Sequence, residues 1–196
     1  FFISTKKKFI TNEYSRSLSH LLRYKNQGIL ISSKTLNLDN SLLTCRLEGL
    51  EDFSPTRFIL DKNLNIKNNL NIFKNKKKIK TYIFFYKSKP KKEKLLKKYG
   101  VKLIRCKINN KKKIDLFNVL EKIKIIGINY LLVEGGKELT LSFINDKFFN
   151  EFYLFKSHIK LRFKGKINVK YTLKKLNKTF KRKDKINTYL DKDELF

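Results

Sequence analysis

The sequence predicts an α/β fold in which a mostly parallel mixed sheet is flanked by helices, with antiparallel strands near the C-terminus. Short, continuous runs of β-branched and aromatic residues are typical of strands covered on both faces. These runs alternate with segments of helical period, and only a few residues connect one to the next, which favours a mostly parallel sheet. The chain has 196 residues, of which 41% are hydrophobic. That is enough for one core, and we expect a single domain over residues 1–196.

The first half of the chain opens with a predicted helix. Asn12 can cap it, and Tyr14, Leu18 and Leu21 have roughly helical spacing. We expect this helix over residues 12–26, ended by Gly28. Buried strands are predicted at residues 29–33, 57–60 and 81–86.

The second half repeats the alternation. Helices are predicted at residues 91–99 and 115–126, each stopped by a glycine. Further predicted elements are strands at residues 101–105 and 129–133, a helix from residue 137 to about residue 146, and strands at residues 151–156 and 186–190. The last two strands are expected to find hairpin partners in the basic C-terminal stretch.

The charge is strongly positive, since 47 Lys and Arg face 17 Asp and Glu and give a net charge of +30. Lys outnumbers Arg by 40 to 7, and Phe, Ile and Asn are also abundant. Codons of A and T alone encode these enriched residues, so a nucleotide-biased genome accounts for the charge. A basic nucleic-acid-binding protein stays as an alternative, but the lysines are dispersed over nearly every loop and no nucleic-acid-binding motif is present. We expect no specific nucleic-acid partner.

Three further features concern the location and integrity of the chain. No apolar run approaches the roughly 20 residues that cross a bilayer, so no membrane partner is expected. Cys45 and Cys106 lie far apart without a metal-ligand spacing, which favours a reducing cytoplasm and neither a disulfide nor a zinc site. The chain contains no Met, and we expect it to be a fragment or a processed form.

Two regions carry candidate binding residues. Glu134-Gly135-Gly136 follows a buried strand and precedes a helix, where backbone N–H groups can meet an anion. A plain tight turn is the alternative. Arg23 and Arg46 flank the second region, and arginines retained in so Lys-rich a chain suggest bidentate binding of phosphate or carboxylate. A pair of surface cations is the alternative there. His20 and His158 are isolated and are predicted to be packed or surface residues.

Three segments, in their order and spacing, carry a family resemblance. They are Phe9–Arg46 with Leu-Leu-Arg and Leu-Thr-Cys-Arg, Phe58–Asp61, and Leu-Leu-Val-Glu-Gly-Gly before a helix. Together they resemble the reductase half of the bifunctional riboflavin-biosynthesis deaminase/reductase. The resemblance implies a dihydrofolate-reductase-like fold and a homodimer.

The resemblance also implies an activity and a site. The activity is NADPH-dependent reduction of 5-amino-6-(5-phosphoribosylamino)uracil, a phosphorylated pyrimidine, to its ribitylamino product. Neither a side-chain nucleophile nor a metal is required. Carried over by position, the substrate residues are Arg23, Leu43, Arg46 and Glu134. The cofactor residues are Thr35, Asp39, Gly136, Lys137, Glu138, Leu139, Thr140, Leu141 and Ser142.

Some positions depart from the family pattern. The family's first strand and the whole deaminase half are expected to be missing. Phe9 stands at a Trp position, Lys7 and Lys62 stand at Ser positions, and Asp39-Asn40-Ser41 replaces Asp-Asp-Pro. An inactive or truncated nucleotide-binding domain is therefore a further alternative.

Overall fold

The computed structural model describes residues 12–74, 79–156, 175–181 and 184–190, the last two ranges and Lys156 by their backbone only. The elements in chain order are α1 (Glu13–Lys25), β1 (Gly28–Ser32), α2 (Ser33–Asp39), β2 (Thr56–Leu60), α3 (Asn71–Lys74), β3 (Thr81–Phe85), α4 (Pro90–Lys98), β4 (Lys102–Arg105), α5 (Leu116–Ile125), β5 (Leu131–Val133), α6 (Lys137–Asn145), β6 (Glu151–Lys156), β7 (Lys175–Lys181) and β8 (Asp184–Leu190). Lys7, Phe9 and His158 lie outside the described residues.

The chain divides into two compact units. Residues 20–139 form the larger unit, whose described strands make a five-stranded parallel sheet in the order β4-β3-β2-β1-β5. The smaller unit contains the described residues before 20 and after 139, with an antiparallel sheet in the order β6-β8-β7. The predicted α/β class, the parallel sheet and the antiparallel C-terminal strands are confirmed. The prediction of a single domain over residues 1–196 stays a prediction.

One apolar cluster of the larger unit lies on one face of the parallel sheet. Ile29, Ile31, Ile59 and Ile83 are at most 2% exposed and belong to one apolar cluster. Because side chains alternate along a strand, the residues between them point to the opposite face. There Phe58 stacks on Tyr82 and Phe84 at centroid distances of 5.3 and 5.9 Å. Both faces of the sheet are therefore apolar, which explains the continuous hydrophobic runs of its strands.

Two local predictions were wrong. The strand predicted at residues 29–33 includes one residue too many, and no helix was predicted after it. Ser33–Asp39 is the helix α2, begun by the Ser32 side chain, which accepts from the Thr35 N–H. Gly28 does not end a helix, because α1 ends at Lys25 and Gly28 is the first residue of β1. A Cβ at Gly28 would lie 2.8 Å from the Phe58 ring, so close packing between β1 and β2 requires this glycine.

Candidate active site

The candidate site lies at the carboxyl ends of the neighbouring strands β1 and β5. The two strands pair in parallel with Leu30 opposite Val133, and the Glu134 N–H donates to the Leu30 carbonyl at 2.9 Å. The start of α2, which directly follows β1, and the Glu134-Gly135-Gly136 segment after β5 therefore lie side by side. In open parallel sheets this edge is where ligands bind.

Arg23 and Glu134 form a bidentate ion pair in this position. Arg23 Nε donates to Glu134 Oε1 at 2.7 Å and Arg23 Nη2 donates to Glu134 Oε2 at 2.8 Å. The two side chains are 11% and 28% exposed. The pair joins the last turn of α1 to the end of β5, and it brings together two residues predicted to bind substrate. Arg23 thus makes its two-point contact with a carboxylate of the chain itself. Its binding of a ligand stays a prediction.

The other two predicted substrate residues are connected to this pair through Thr44. Arg23 Nη1 donates to the Thr44 carbonyl at 3.0 Å. Leu43 is 1% exposed with a φ of 55°, and Arg46 is exposed. Cys45, between them, is also 1% exposed. The segment thus carries a buried Leu43 and presents Arg46 outward.

His20 is the residue that sequence reasoning missed at this site. Its Nδ1 lies 3.1 Å from the Thr44 carbonyl oxygen, so His20 is half-buried and bonded rather than isolated. Burial lowers its pKa, and the positive charges of Arg23 and Arg46 lower it further. A signal was present in the sequence, because residues three apart on a helix share a face and His20 precedes Arg23 by three.

The predicted cofactor residues Thr35 and Gly136 lie against each other. A Cβ at Gly136 would approach Thr35 Oγ1 to 2.9 Å, which only glycine avoids without a shift. Thr35 Oγ1 is itself hydrogen-bonded to Ser32 Oγ at 3.0 Å. The backbone at Gly136 is therefore held close to the first turn of α2.

The residues around Gly136 have the chemistry of an anion site. Gly136 leads into α6, a nine-residue helix that begins at Lys137. The first N–H groups of a helix lack intrahelical partners and carry partial positive charge. Lys137 and Glu138 are exposed, Leu139 is 7% exposed, and Lys34 pairs with Glu138 at 3.1 Å. These groups fit the phosphates of a dinucleotide.

The remaining predicted cofactor residues lie at the end of α2 and in the later part of α6. Asp39 ends α2 and is exposed at its surface, and partial desolvation together with the charge of Glu134 raises its pKa. Thr140, Leu141 and Ser142 lie on the later part of α6, which belongs to the smaller unit. Lys62 follows β2, and its ammonium donates to the Lys112 carbonyl at 2.6 Å. Ligand roles for all of these residues stay predictions.

Two classes of feature are absent from the part of the chain that the structure describes. It contains no group of three or more His, Cys, Asp or Glu side chains that could hold a metal ion. None of its helices is both long enough and apolar enough to cross a bilayer.

Comparisons with known proteins identify similar chains. The family model described as "RibD C-terminal domain" matches residues 3–157. The chain is 33% identical over 148 residues to the riboflavin biosynthesis protein RibD of Aquifex aeolicus, covering 76% of this chain and 39% of that protein. It is 28% identical over 159 residues to the 5-amino-6-(5-phosphoribosylamino)uracil reductase of Buchnera aphidicola, covering 76% of this chain and 73% of that one.

A solved structure shows the same fold. The Saccharomyces cerevisiae riboflavin biosynthesis reductase Rib7 superposes with a TM-score of 0.75 at 21% identity, covering 91% of this chain and 81% of that chain. The chain spans about two fifths of the length of the RibD relative, since 39% of that protein is covered.

Proposed function

Because the chain belongs to the RibD C-terminal domain family, we propose that it reduces 5-amino-6-(5-phosphoribosylamino)uracil to 5-amino-6-(5-phosphoribitylamino)uracil with NADPH. The observation that carries the proposal is that the start of α2, directly after β1, adjoins the glycine-rich segment after β5. There the Arg23–Glu134 pair stands beside the close approach of Gly136 to Thr35. A homodimer and a cytoplasmic location stay predictions.

The cofactor would be held by backbone rather than by a dedicated side-chain cage. The turn at Gly135-Gly136 lets the backbone approach a pyrophosphate, and the N-terminus of α6 adds favourable partial charge. Lys137, which is exposed beside them, adds a full positive charge. When bound, NADPH supplies the hydride for the reduction.

The substrate would be held by the charged side chains of Arg46 and Glu134. Arg46 is exposed, and neither of the ion pairs in the described residues includes it. Its guanidinium is therefore available to the substrate's phosphate. Glu134 is fixed by Arg23, and its carboxylate oxygens can accept from the N–H groups of the pyrimidine. The chain's contribution is to bind and orient two reactants, which accelerates a reaction without a side-chain nucleophile.

A turnover assay with an arginine control tests the proposal. NADPH consumption is followed on adding the phosphoribosylamino-pyrimidine, at about 0.3 M salt, where nonspecific attraction to the +30 charge is screened. Arg46→Gln is expected to raise the KM for that substrate by about 10- to 100-fold, the effect of losing a charged hydrogen bond.

The matched control is Arg105→Gln. Arg105 is also exposed, but it is the last residue of β4, which lies three strands from β1 and four from β5 in the sheet. It is expected to leave KM unchanged. Absence of substrate-dependent NADPH consumption by the unmodified chain refutes the proposed function. Equal effects of the two substitutions refute the assignment of Arg46.

A further inference from the structure

The carbonyl of Thr44 accepts two hydrogen bonds from the same helix. His20 Nδ1 lies 3.1 Å from its oxygen and Arg23 Nη1 lies 3.0 Å from it. Both donors are on α1, three residues apart and therefore on one face. Arg23 also binds Glu134. The His20 ring is hydrogen-bonded, among the described residues, to the Thr44 carbonyl.

The backbone before Thr44 has an unfavourable conformation, and the backbone after Thr44 is fixed by a hydrogen bond. Leu43 has a φ of 55°, a left-handed conformation that a branched side chain adopts unfavourably. On the other side, the Cys45 N–H donates to Ser54 Oγ at 3.1 Å. The segment is thus fastened by side chains at two consecutive residues, immediately before the exposed Arg46.

The geometry fixes which ring nitrogen carries a proton. A carbonyl oxygen only accepts, so Nδ1 of His20 must be the donor. Burial, Arg23 and Arg46 lower the pKa of His20, while Thr44 and Glu134 oppose that shift. The neutral ring, protonated at Nδ1, therefore makes the bond without adding a third positive charge beside the two arginines.

We propose that His20 is a positioning residue of the reductase site: its Nδ1–H holds the Thr44 carbonyl, and thereby orients the Leu43–Arg46 segment toward the substrate's phosphate. The inference rests on the proposed function and assigns a role to a residue outside the predicted substrate and cofactor sets. Since the held segment belongs to the substrate side, loss of His20 affects substrate binding more than cofactor binding.

The experiment compares three replacements of His20 in the turnover assay. The amide nitrogen of Asn takes a place similar to that of Nδ1, whereas Leu donates no hydrogen bond and the amide nitrogen of Gln is placed more like Nε2. We expect His20→Leu and His20→Gln to raise the KM for the pyrimidine by about tenfold, equivalent to one hydrogen bond. The kcat and the KM for NADPH are expected to change less than about threefold, and His20→Asn to restore most of the substrate affinity.

Ser17→Ala is the control, because Ser17 is an exposed position on the same helix. Circular dichroism of each variant shows whether it is folded, and His20→Gln serves if His20→Leu is not. An unchanged substrate KM in folded His20→Gln overturns the inference, as does His20→Asn behaving like His20→Gln. An inactive unmodified chain overturns the proposed function itself, whereas an active chain with indifferent His20 variants overturns only this inference.

Discussion

The ion pair between Arg23 and Glu134 gives the sharpest stability prediction. Three nitrogens of Arg23 each donate one bond, two to Glu134 at 2.7 and 2.8 Å and one to the Thr44 carbonyl at 3.0 Å. In Glu134→Gln one acceptor oxygen is replaced by an NH2 group, which meets an N–H of the guanidinium. A half-buried cation then loses its charge partner and one of its acceptors.

The magnitude follows from the burial of the pair. Exposed ion pairs contribute about 0–1 kcal/mol, and removing one partner of a buried pair costs about 3–5 kcal/mol. The side chains of Arg23 and Glu134 are 11% and 28% exposed and lie between these cases. We expect Glu134→Gln to lower the free energy of unfolding by about 2 kcal/mol.

Urea unfolding at pH 7 measures this loss. The control is Glu138→Gln, which removes a carboxylate whose pair with Lys34 has side chains 70% and 76% exposed. That substitution is expected to cost less than about 0.5 kcal/mol. If Glu134→Gln costs no more than Glu138→Gln, the bidentate pair does not hold α1 to the end of β5, and the reasoning is refuted.

Three other predictions rest on single contacts. Gly136→Ala places a Cβ 2.9 Å from Thr35 Oγ1, and urea unfolding is expected to show that the free energy of unfolding falls by about 1 kcal/mol. The same substitution in a Thr35→Ala background is expected to cost almost nothing. An equal cost in both backgrounds contradicts the contact. Arg57 is 1% exposed, its Nε and Nη2 have no hydrogen-bond partner within the described residues, and burial lowers its pKa to about 10. Arg57→Met is therefore expected to raise the melting temperature through a gain of about 1–2 kcal/mol, and a lower melting temperature would count against it. Burial raises the pKa of Cys106 to about 11, so at pH 8 about one thiol in a thousand is ionised; a thiol reagent is expected to label it only after unfolding, and rapid labelling of the folded chain at Cys106 speaks against the burial.

The strands of the parallel sheet were predictable because each is a short, continuous apolar run. Ile29, Phe58 and Ile83 are each fully buried, and the pattern of a strand covered on both faces is legible without tertiary information. The seven-residue helix α2 was not predicted, because it starts directly after β1 and is too short to display a helical period. Its start depends on the Ser32 side chain, whose capping role only the backbone conformation reveals.

The sequence singled out residues of the candidate site, whose ligand roles stay predictions, but it did not predict the contacts that these residues make with one another. Glu134 and Gly136 were identified from a strand followed by two glycines, and Arg23 from the scarcity of arginine. Their mutual contacts depend on the order of strands in the sheet, since Arg23 and Glu134 are 111 positions apart. The Thr44 carbonyl has no signature in the sequence, because any residue carries one. The hydrogen bond of His20 was therefore not predicted, although the spacing of three residues placed His20 on the same helix face as Arg23.

The most direct test of the proposed site is to locate bound NADPH on the chain. Amide chemical shifts of the 15N-labelled protein are recorded during an NADPH titration at about 0.3 M salt, which screens exposed charges beyond roughly 6 Å. The account predicts saturable shifts concentrated at Thr35, Gly135 and Gly136, and their loss in Gly136→Val. Shifts spread over the lysine-rich loops, or shifts that Gly136→Val leaves unchanged, would contradict a cofactor site at the carboxyl ends of β1 and β5.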